Sequence, residues 1–102
     1  MAVATIVKQP YEALNWAHDF SPDCQSGVTL TLVALTATNL LTGANSTSAI
    51  IATSPAPAVS GQEVLFQIQD GADGDQHKID IRVATSAGEL LEADLLLFVK
   101  QQ

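Results

Sequence analysis

The sequence predicts an all-β fold, an antiparallel β-sandwich of about seven strands. Several segments alternate apolar and polar residues with a period of two, which is typical of strands with one buried face. Turn-forming Gly, Pro, Asn and Asp residues separate these segments at intervals of roughly 8–12 residues. No segment keeps helical periodicity beyond a turn or two, although Tyr11, Leu14 and His18 would also lie together at helical spacing.

The C-terminal quarter of the chain predicts the hairpin around which the rest is organised. Apolar residues alternate with charged ones over 79–83, and the alternation resumes over 91–99. Residues 85–88, which read Thr-Ser-Ala-Gly, supply the turn between them. Because a two-stranded hairpin is unstable alone in water, the upstream segments must supply the sheets that cover it.

Upstream of the hairpin we predict five further strands. They are residues 1–9, 14–20, 28–38, 49–53 and 64–69. Residues 1–9 fit either a first strand or an extended arm that adds to the sheet edge of a neighbouring subunit. In the third strand the alternation breaks after Leu32, and a bulge near Val33 or burial on both faces explains the break.

The Pro-rich residues 54–58 are interpreted as a crossover between the two sheets. Splitting the chain there would leave two pieces too small to fold alone, so residues 1–102 are expected to form a single domain. About seven short strands with this spacing are the pattern of an immunoglobulin-like sandwich.

Composition restricts the partners. Four Lys and Arg residues against eleven Asp and Glu residues give a net charge of −7. Such a surface repels phosphate backbones and anionic lipids, so we expect no nucleic-acid or membrane partner. No apolar run approaches the length needed to span a membrane. The N-terminal residues lack a signal-peptide pattern, and Cys24 is the only cysteine, so we expect synthesis in the cytoplasm and no internal disulfide.

Two clusters invite a metal or catalytic interpretation, and both fail on spacing. In the acidic loop 70–75, a calcium loop starting at Asp70 would need acidic ligands where Ala72 and Gly74 stand, so we interpret the loop as a turn. A second group, His18, Asp19, Asp23 and Cys24, lacks the further Cys or His of a zinc site. His18 and His77 are in phase with apolar neighbours, and both are expected to be packed, hydrogen-bonded core residues.

No nucleophile motif or phosphate-binding loop is present, so we expect no enzyme activity, no catalytic residues, no metal and no cofactor. The last strand departs from a plain solvated sandwich, because Leu96 and Phe98 fall on its outward face. Cover by a loop or by the N-terminal segment explains them, and so does contact with a neighbouring subunit. Leu40 and Leu41, in a turn, are a weaker indication of the same kind of interface.

The chain resembles a group of small immunoglobulin-like virion structural proteins of tailed bacteriophages and prophages. The residues that carry the resemblance are Lys8, Gln9, Pro10, Glu12, Leu14, Trp16, Asp19, Phe20 and Ser21 near the start, and His77, Ile79, Ile81, Val83, Ala84, Thr85, Ser86, Ala87, Gly88, Leu95, Leu97 and Val99 near the end. The resemblance implies no catalytic residues. It implies synthesis in the host bacterium and incorporation in the virion.

We therefore expect a non-enzymatic virion component that acts by subunit packing, either in capsid decoration or in completion of the head–tail or tail region. Its expected partners are capsid, neck or tail subunits, with self-association in a symmetric assembly. The alternative is a stand-alone immunoglobulin-like adhesion or glycan-binding module, which would need an exposed aromatic residue or a calcium-dependent loop. An accessory domain of a longer enzyme is a third possibility.

Overall fold

A computed structural model describes residues 3–101, with the side chain of Val3 left out. It contains seven strands and one short helix. In chain order these are β1 (Val3–Lys8), β2 (Leu14–Asp19), β3 (Leu30–Asn39), α1 (Thr47–Ile50), β4 (Ala58–Ser60), β5 (Glu63–Ile68), β6 (Gln76–Thr85) and β7 (Leu90–Val99). A single 3-10 turn, Ser21–Asp23, follows β2.

The strands form two sheets that face each other. The four-stranded sheet has the order β1-β7-β6-β3, and the three-stranded sheet has the order β2-β5-β4. This confirms the predicted all-β sandwich. Lettered in chain order, the strands give the B-E-D and C-F-G neighbours of immunoglobulin-like sandwiches. One pair departs from the antiparallel expectation, because β1 runs parallel to β7 on the outer edge of its sheet.

The predicted hairpin is the centre of the four-stranded sheet. Strands β6 and β7 pair antiparallel from Gln76 and Phe98 to Ala84 and Leu90. The turn closes because the amide of Thr85 donates to the Glu89 carbonyl at 2.8 Å and Gly88 adopts a φ of +88°. Alternate side chains of both strands point into the core, as the period of two predicted.

A bulge at Val33 keeps β3 in phase with the core. The pairing of β3 with β6 shifts register between Leu32 and Ala34, so Val33 is the extra residue and lies exposed. Leu35 then faces inward opposite Ile81, and the alternation resumes. The sequence had left a bulge and two-sided burial open, and the bulge is what forms.

The predicted strand over 49–53 is wrong. Residues 47–50 form α1, and only Ile51 makes an isolated bridge to β5. Ile50, Ile51 and Ala52 are all buried, which a strand with one covered face does not allow. The count of seven strands is reached through β4, a strand of three residues that the sequence did not predict.

Residues 3–8 pair with β7 of the same chain, whereas Met1 and Ala2 of the predicted arm lie outside the described residues. The two sheets share one apolar core, and its largest fully buried apolar side chains are Phe20, Ile50, Val64, Ile68, Ile79, Ile81, Val83, Leu95, Leu97 and Val99. Lys8 is buried beside them, which its charge did not predict. Within residues 3–101, no helix is long and apolar enough to cross a membrane.

Candidate functional site: the outer face of the four-stranded sheet

The outer face of the four-stranded sheet is apolar at one end. Phe98 on β7 lies opposite Val7 of β1, and Leu96 lies opposite Thr5. Val7 is 52% exposed, and Leu96 and Phe98 are half-buried beside it. The N-terminal segment therefore covers one flank of these two residues and adds a third apolar side chain to the same surface.

The exposed turn after β3 lies at the same end of the sheet. The amide of Leu40 donates to the carbonyl of Gln76 at 2.7 Å, and Gln76 pairs with Phe98. Leu40 and Leu41 are 47% and 62% exposed. The structure thus places the four residues predicted as interface at the same end of the four-stranded sheet, and we call Val7, Leu40, Leu41, Leu96 and Phe98 the apolar end of the outer face. That this end forms an interface stays a prediction.

The middle of the same face carries a carboxylate pair. Asp80 on β6 lies directly opposite Asp94 on β7, and both side chains are mostly buried. A hydrogen bond that a protonated Asp94 shares with Asp80, together with burial, raises the pKa of Asp94 to about 6. The Lys78 ammonium lies 3.6 Å from Asp80 Oδ1 and 3.9 Å from Asp94 Oδ2, and it offsets part of the repulsion.

Glu92 joins this pair, and among the described residues these three carboxylates are the one group with metal-binding spacing. Arg82 Nε lies 2.7 Å from Glu92 Oε1, so a cationic side chain already neutralises the third carboxylate. With Lys78 beside the other two, two cationic side chains face three carboxylates, so the charge of the cluster is only partly compensated. The sequence placed Glu92 and Asp94 on this face but did not reveal that Asp80 faces them.

His77 links three segments of the chain. Its Nδ1 lies 2.8 Å from Ser46 Oγ, and its Nε2 lies 3.3 Å from Asp75 Oδ2. These are the residue types of a catalytic triad, but His77 is only 2% exposed, and Asp75 Oδ2 also accepts the amide of Ala72. We interpret these hydrogen bonds as structural, because they hold the loop before α1 against the start of β6. His77 is packed and hydrogen-bonded, as predicted.

His18 is packed but not fully hydrogen-bonded. Its ring packs edge-on against the ring of Phe20, with 4.7 Å between the ring centroids. Its Nε2 has no hydrogen-bond partner among the described residues. Burial lowers the pKa of His18 and favours the neutral ring. The group His18, Asp19, Asp23 and Cys24 does not assemble as a metal-ligand set, because Cys24 Sγ donates to the Phe20 carbonyl and Asp19 accepts from Ser21.

The acidic loop uses its carboxylates internally. Asp75 accepts the Ala72 amide at 2.9 Å, and Asp73 accepts the Gln101 amide at 2.9 Å. Asp70 adopts a φ of +53°, as a turn residue does. These bonds support the turn interpretation, and no feature of residues 70–75 favours the calcium-dependent adhesion alternative.

A shallow groove on the opposite side of the sandwich was not predicted. It lies over the outer face of the three-stranded sheet, where Ala17, Leu65 and Ala58 form a row and Pro55 and Ala56 form a wall. Its lining is almost entirely apolar, and no titratable side chain enters it. The sequence signal was the pair of small outward residues Ala17 on β2 and Ala58 on β4. Only the pairing register places them on either side of Leu65 on β5.

A comparison with known protein families covers most of the chain. The family model described as "Podophage GP4 fiber-tail adaptor protein gp77" matches residues 8–98, which include every strand except most of β1 and the last residue of β7. No curated protein matches the chain. The resemblance to phage virion structural proteins is therefore confirmed at the level of the class. The chain belongs to the podophage fiber-tail adaptor family, a family of structural components of the phage virion.

Proposed function

We propose that this chain is a non-enzymatic adaptor that joins a fibre to the phage tail by packing its exposed surfaces against other virion proteins. The family match over residues 8–98 carries the proposal. It favours the tail over capsid decoration, the other position that the sequence left open. The Arg82–Glu92 ion pair and the buried position of His77 favour a surface that docks over one that performs chemistry.

The apolar end of the outer face is the docking surface in this proposal. It joins Val7, Leu96 and Phe98 from two paired strands with the exposed leucines of the turn after β3. An interface of this kind has an apolar centre and a polar rim. Lys78 and the carboxylate pair stand beside the apolar residues on the same face and would supply that rim.

The experiment replaces Leu96→Asp and Phe98→Asp together and measures incorporation into virions by complementing a phage that lacks the gene. We expect a folded protein that is absent from purified particles, because two charges would be desolvated at the interface. The matched control is Thr31→Asp with Leu90→Asp. These residues lie on the same face at its other end, in line with Ala84.

Normal incorporation of the Leu96 and Phe98 variant, with circular dichroism of a folded protein, would show that this face is not the interface. A parallel variant, Leu40→Asp with Leu41→Asp, tests whether the turn belongs to the same surface. Self-association stays a prediction of the sequence, and analytical ultracentrifugation of the purified chain checks it. Synthesis in the host cytoplasm before incorporation is likewise a prediction, tested by cell fractionation during infection.

A further inference from the structure

The edge strand β2 has a regular row of unused backbone hydrogen-bonding groups. The amide of Phe20 donates to the Gln62 carbonyl at 2.9 Å, on the side of β5. Because backbone groups alternate sides along a strand, those of Asn15, Ala17 and Asp19 point away from β5. No described strand pairs with β2 on that side.

The edges on the other side of the sandwich are protected. The edge of β3 carries the Val33 bulge, and its Ala37 amide donates to Thr47 Oγ1 at 2.9 Å. The Ala37 carbonyl accepts the Ser46 amide at 2.8 Å. The edge strand β4 is only three residues long. Bulges, covered edges and short edge strands all prevent pairing with another chain, and β2 has none of these protections.

The four-stranded sheet has one strand more than the sheet that contains β2. Strands β3 and β4 lie beside each other at one side of the sandwich, and a short connection joins β1 to β2 at the other side. The extra strand of the larger sheet, β1, lies at the same side of the sandwich as β2. A strand added beside β2 would extend the smaller sheet on the side of β1, where Ile6 and Lys8 are already buried and Ala4 remains partly exposed.

The side chains around this vacant position are incompletely satisfied. Ala4 of β1 and Leu14 and Trp16 of β2 pack against the core but remain partly exposed. Trp16 Nε1 and His18 Nε2, both on β2, have no hydrogen-bond partner among residues 3–101.

We propose that an extended segment of a partner virion protein adds to the three-stranded sheet as a fourth strand, paired with Leu14–Asp19. The partner segment must be extended over about six residues, with small or apolar side chains facing β1. The outward residues of β2 include Asp19 and the chain carries a net charge of −7, so a neutral or basic segment fits better than an acidic one.

A second copy of this chain fits less well. Two copies joined along their β2 edges would bring together two chains that each carry a net charge of −7 and repel each other. A neutral or basic strand from another protein avoids this repulsion. The identity of that protein as a virion component rests on the proposed adaptor function, whereas the site itself rests on the free β2 edge.

The test replaces Ala17→Pro, which removes one edge amide and leaves the bonds to β5 in place, since proline is tolerated where the amide faces outward. The control Ala17→Val changes the same side chain but keeps the amide. The probe is phage particles that lack this protein, mixed with purified full-length chain. We expect binding of Ala17→Pro to fall at least about tenfold while Ala17→Val binds as the wild type does. Equal binding of both variants would overturn the proposal.

Amide hydrogen exchange gives a readout that does not depend on the folding of the proline variant. In the free protein the amides of Asn15, Ala17 and Asp19 should exchange quickly, and in assembled particles at least about tenfold more slowly. Fast exchange in particles would overturn strand addition. Protection in the isolated protein at high concentration would also overturn it, in favour of a second copy. Loss of assembly for Leu96→Asp with Phe98→Asp but not for Ala17→Pro would leave the adaptor function standing without strand addition.

Discussion

The ammonium group of Lys8 donates a hydrogen bond to the backbone carbonyl of Asp70, 62 residues further along the chain. It also donates to the carbonyls of Gln9 at 2.7 Å and Pro10 at 3.3 Å. Lys8 forms no ion pair with any residue in 3–101, and burial lowers its pKa. This one side chain therefore joins the end of β1 to the loop between β5 and β6.

Lys8→Met should lower the free energy of unfolding by about 2–4 kcal/mol, because three carbonyls lose their donor while the apolar stem is kept. Urea denaturation followed by circular dichroism measures the change. Lys100→Met, at an exposed position, should alter stability by less than about 0.5 kcal/mol. Equal midpoints for the two variants would show that the Lys8 bonds contribute nothing net.

Gly71→Ala should destabilise the fold more than Gly74→Ala. Both glycines have a positive φ, +91° and +93°, so each substitution brings backbone strain of about 1–2 kcal/mol. Only at Gly71 would the new Cβ lie 2.7 Å from Val99 Cγ2, whereas Gly74 faces open space. The added steric cost should be about 1–3 kcal/mol, and thermal unfolding of the two variants compares them. The same loss at both positions would refute the close packing.

Ser46→Ala should cost about 1 kcal/mol of stability, because His77 Nδ1 loses its partner inside the fold. Since His77 is buried, the wild type should hydrolyse p-nitrophenyl acetate no faster than Ser46→Ala does. Faster hydrolysis by the wild type would mean that Ser46, His77 and Asp75 act as a triad, and the expectation that the chain is not an enzyme would fail.

Asp94→Asn should stabilise the protein at neutral pH. The folded-state pKa of Asp94 is about 6, above its ordinary value of 3.8, so the folded state binds more protons than the unfolded state between these values. Its contribution is fully present below about pH 4 and is lost as the pH rises through about 6. After screening, the loss is on the order of 1 kcal/mol. Urea denaturation at pH 4, 5, 6 and 7 should show this fall in the wild type relative to Asp94→Asn, and parallel curves would contradict it.

We expect residues 1–102 to unfold in one cooperative step, because both sheets contribute to one core. Trp16, the only tryptophan, reports on the three-stranded sheet, whereas far-ultraviolet circular dichroism reports on both sheets. The two probes should give the same denaturation midpoint. Separated midpoints would indicate that the sheets unfold independently and that the chain is not a single domain.

The parts of the fold that the sequence predicted depend on local alternation. The hairpin β6–β7 and the bulge at Val33 could be predicted because the alternation of apolar and polar residues, and its break, lie within single strands. The run from Ile50 to Ala52 was misread, since a short apolar run does not distinguish a strand from a buried helix end. The four residues predicted as interface were named singly. That Leu40 lies beside Gln76, and hence near Phe98, depends on long-range pairing.

Pairings between distant segments account for the rest of what was missed. The parallel alignment of β1 with β7, the contact of Ser46 with His77 and the opposition of Asp80 and Asp94 leave no local pattern. The burial of Lys8 is of the same kind, because its carbonyl partner belongs to Asp70. A charged residue at the end of a predicted strand gave no reason to expect it inside.

The parallel pairing of β1 with β7 has a mechanical consequence. Val3 lies beside Asp94 and Lys8 beside Val99, so the two strands run in the same direction at the edge of the sheet. Tension that entered upstream of β1 and left downstream of β7 would slide these strands past each other. All their hydrogen bonds would then bear the load together, whereas peeling would break them one by one.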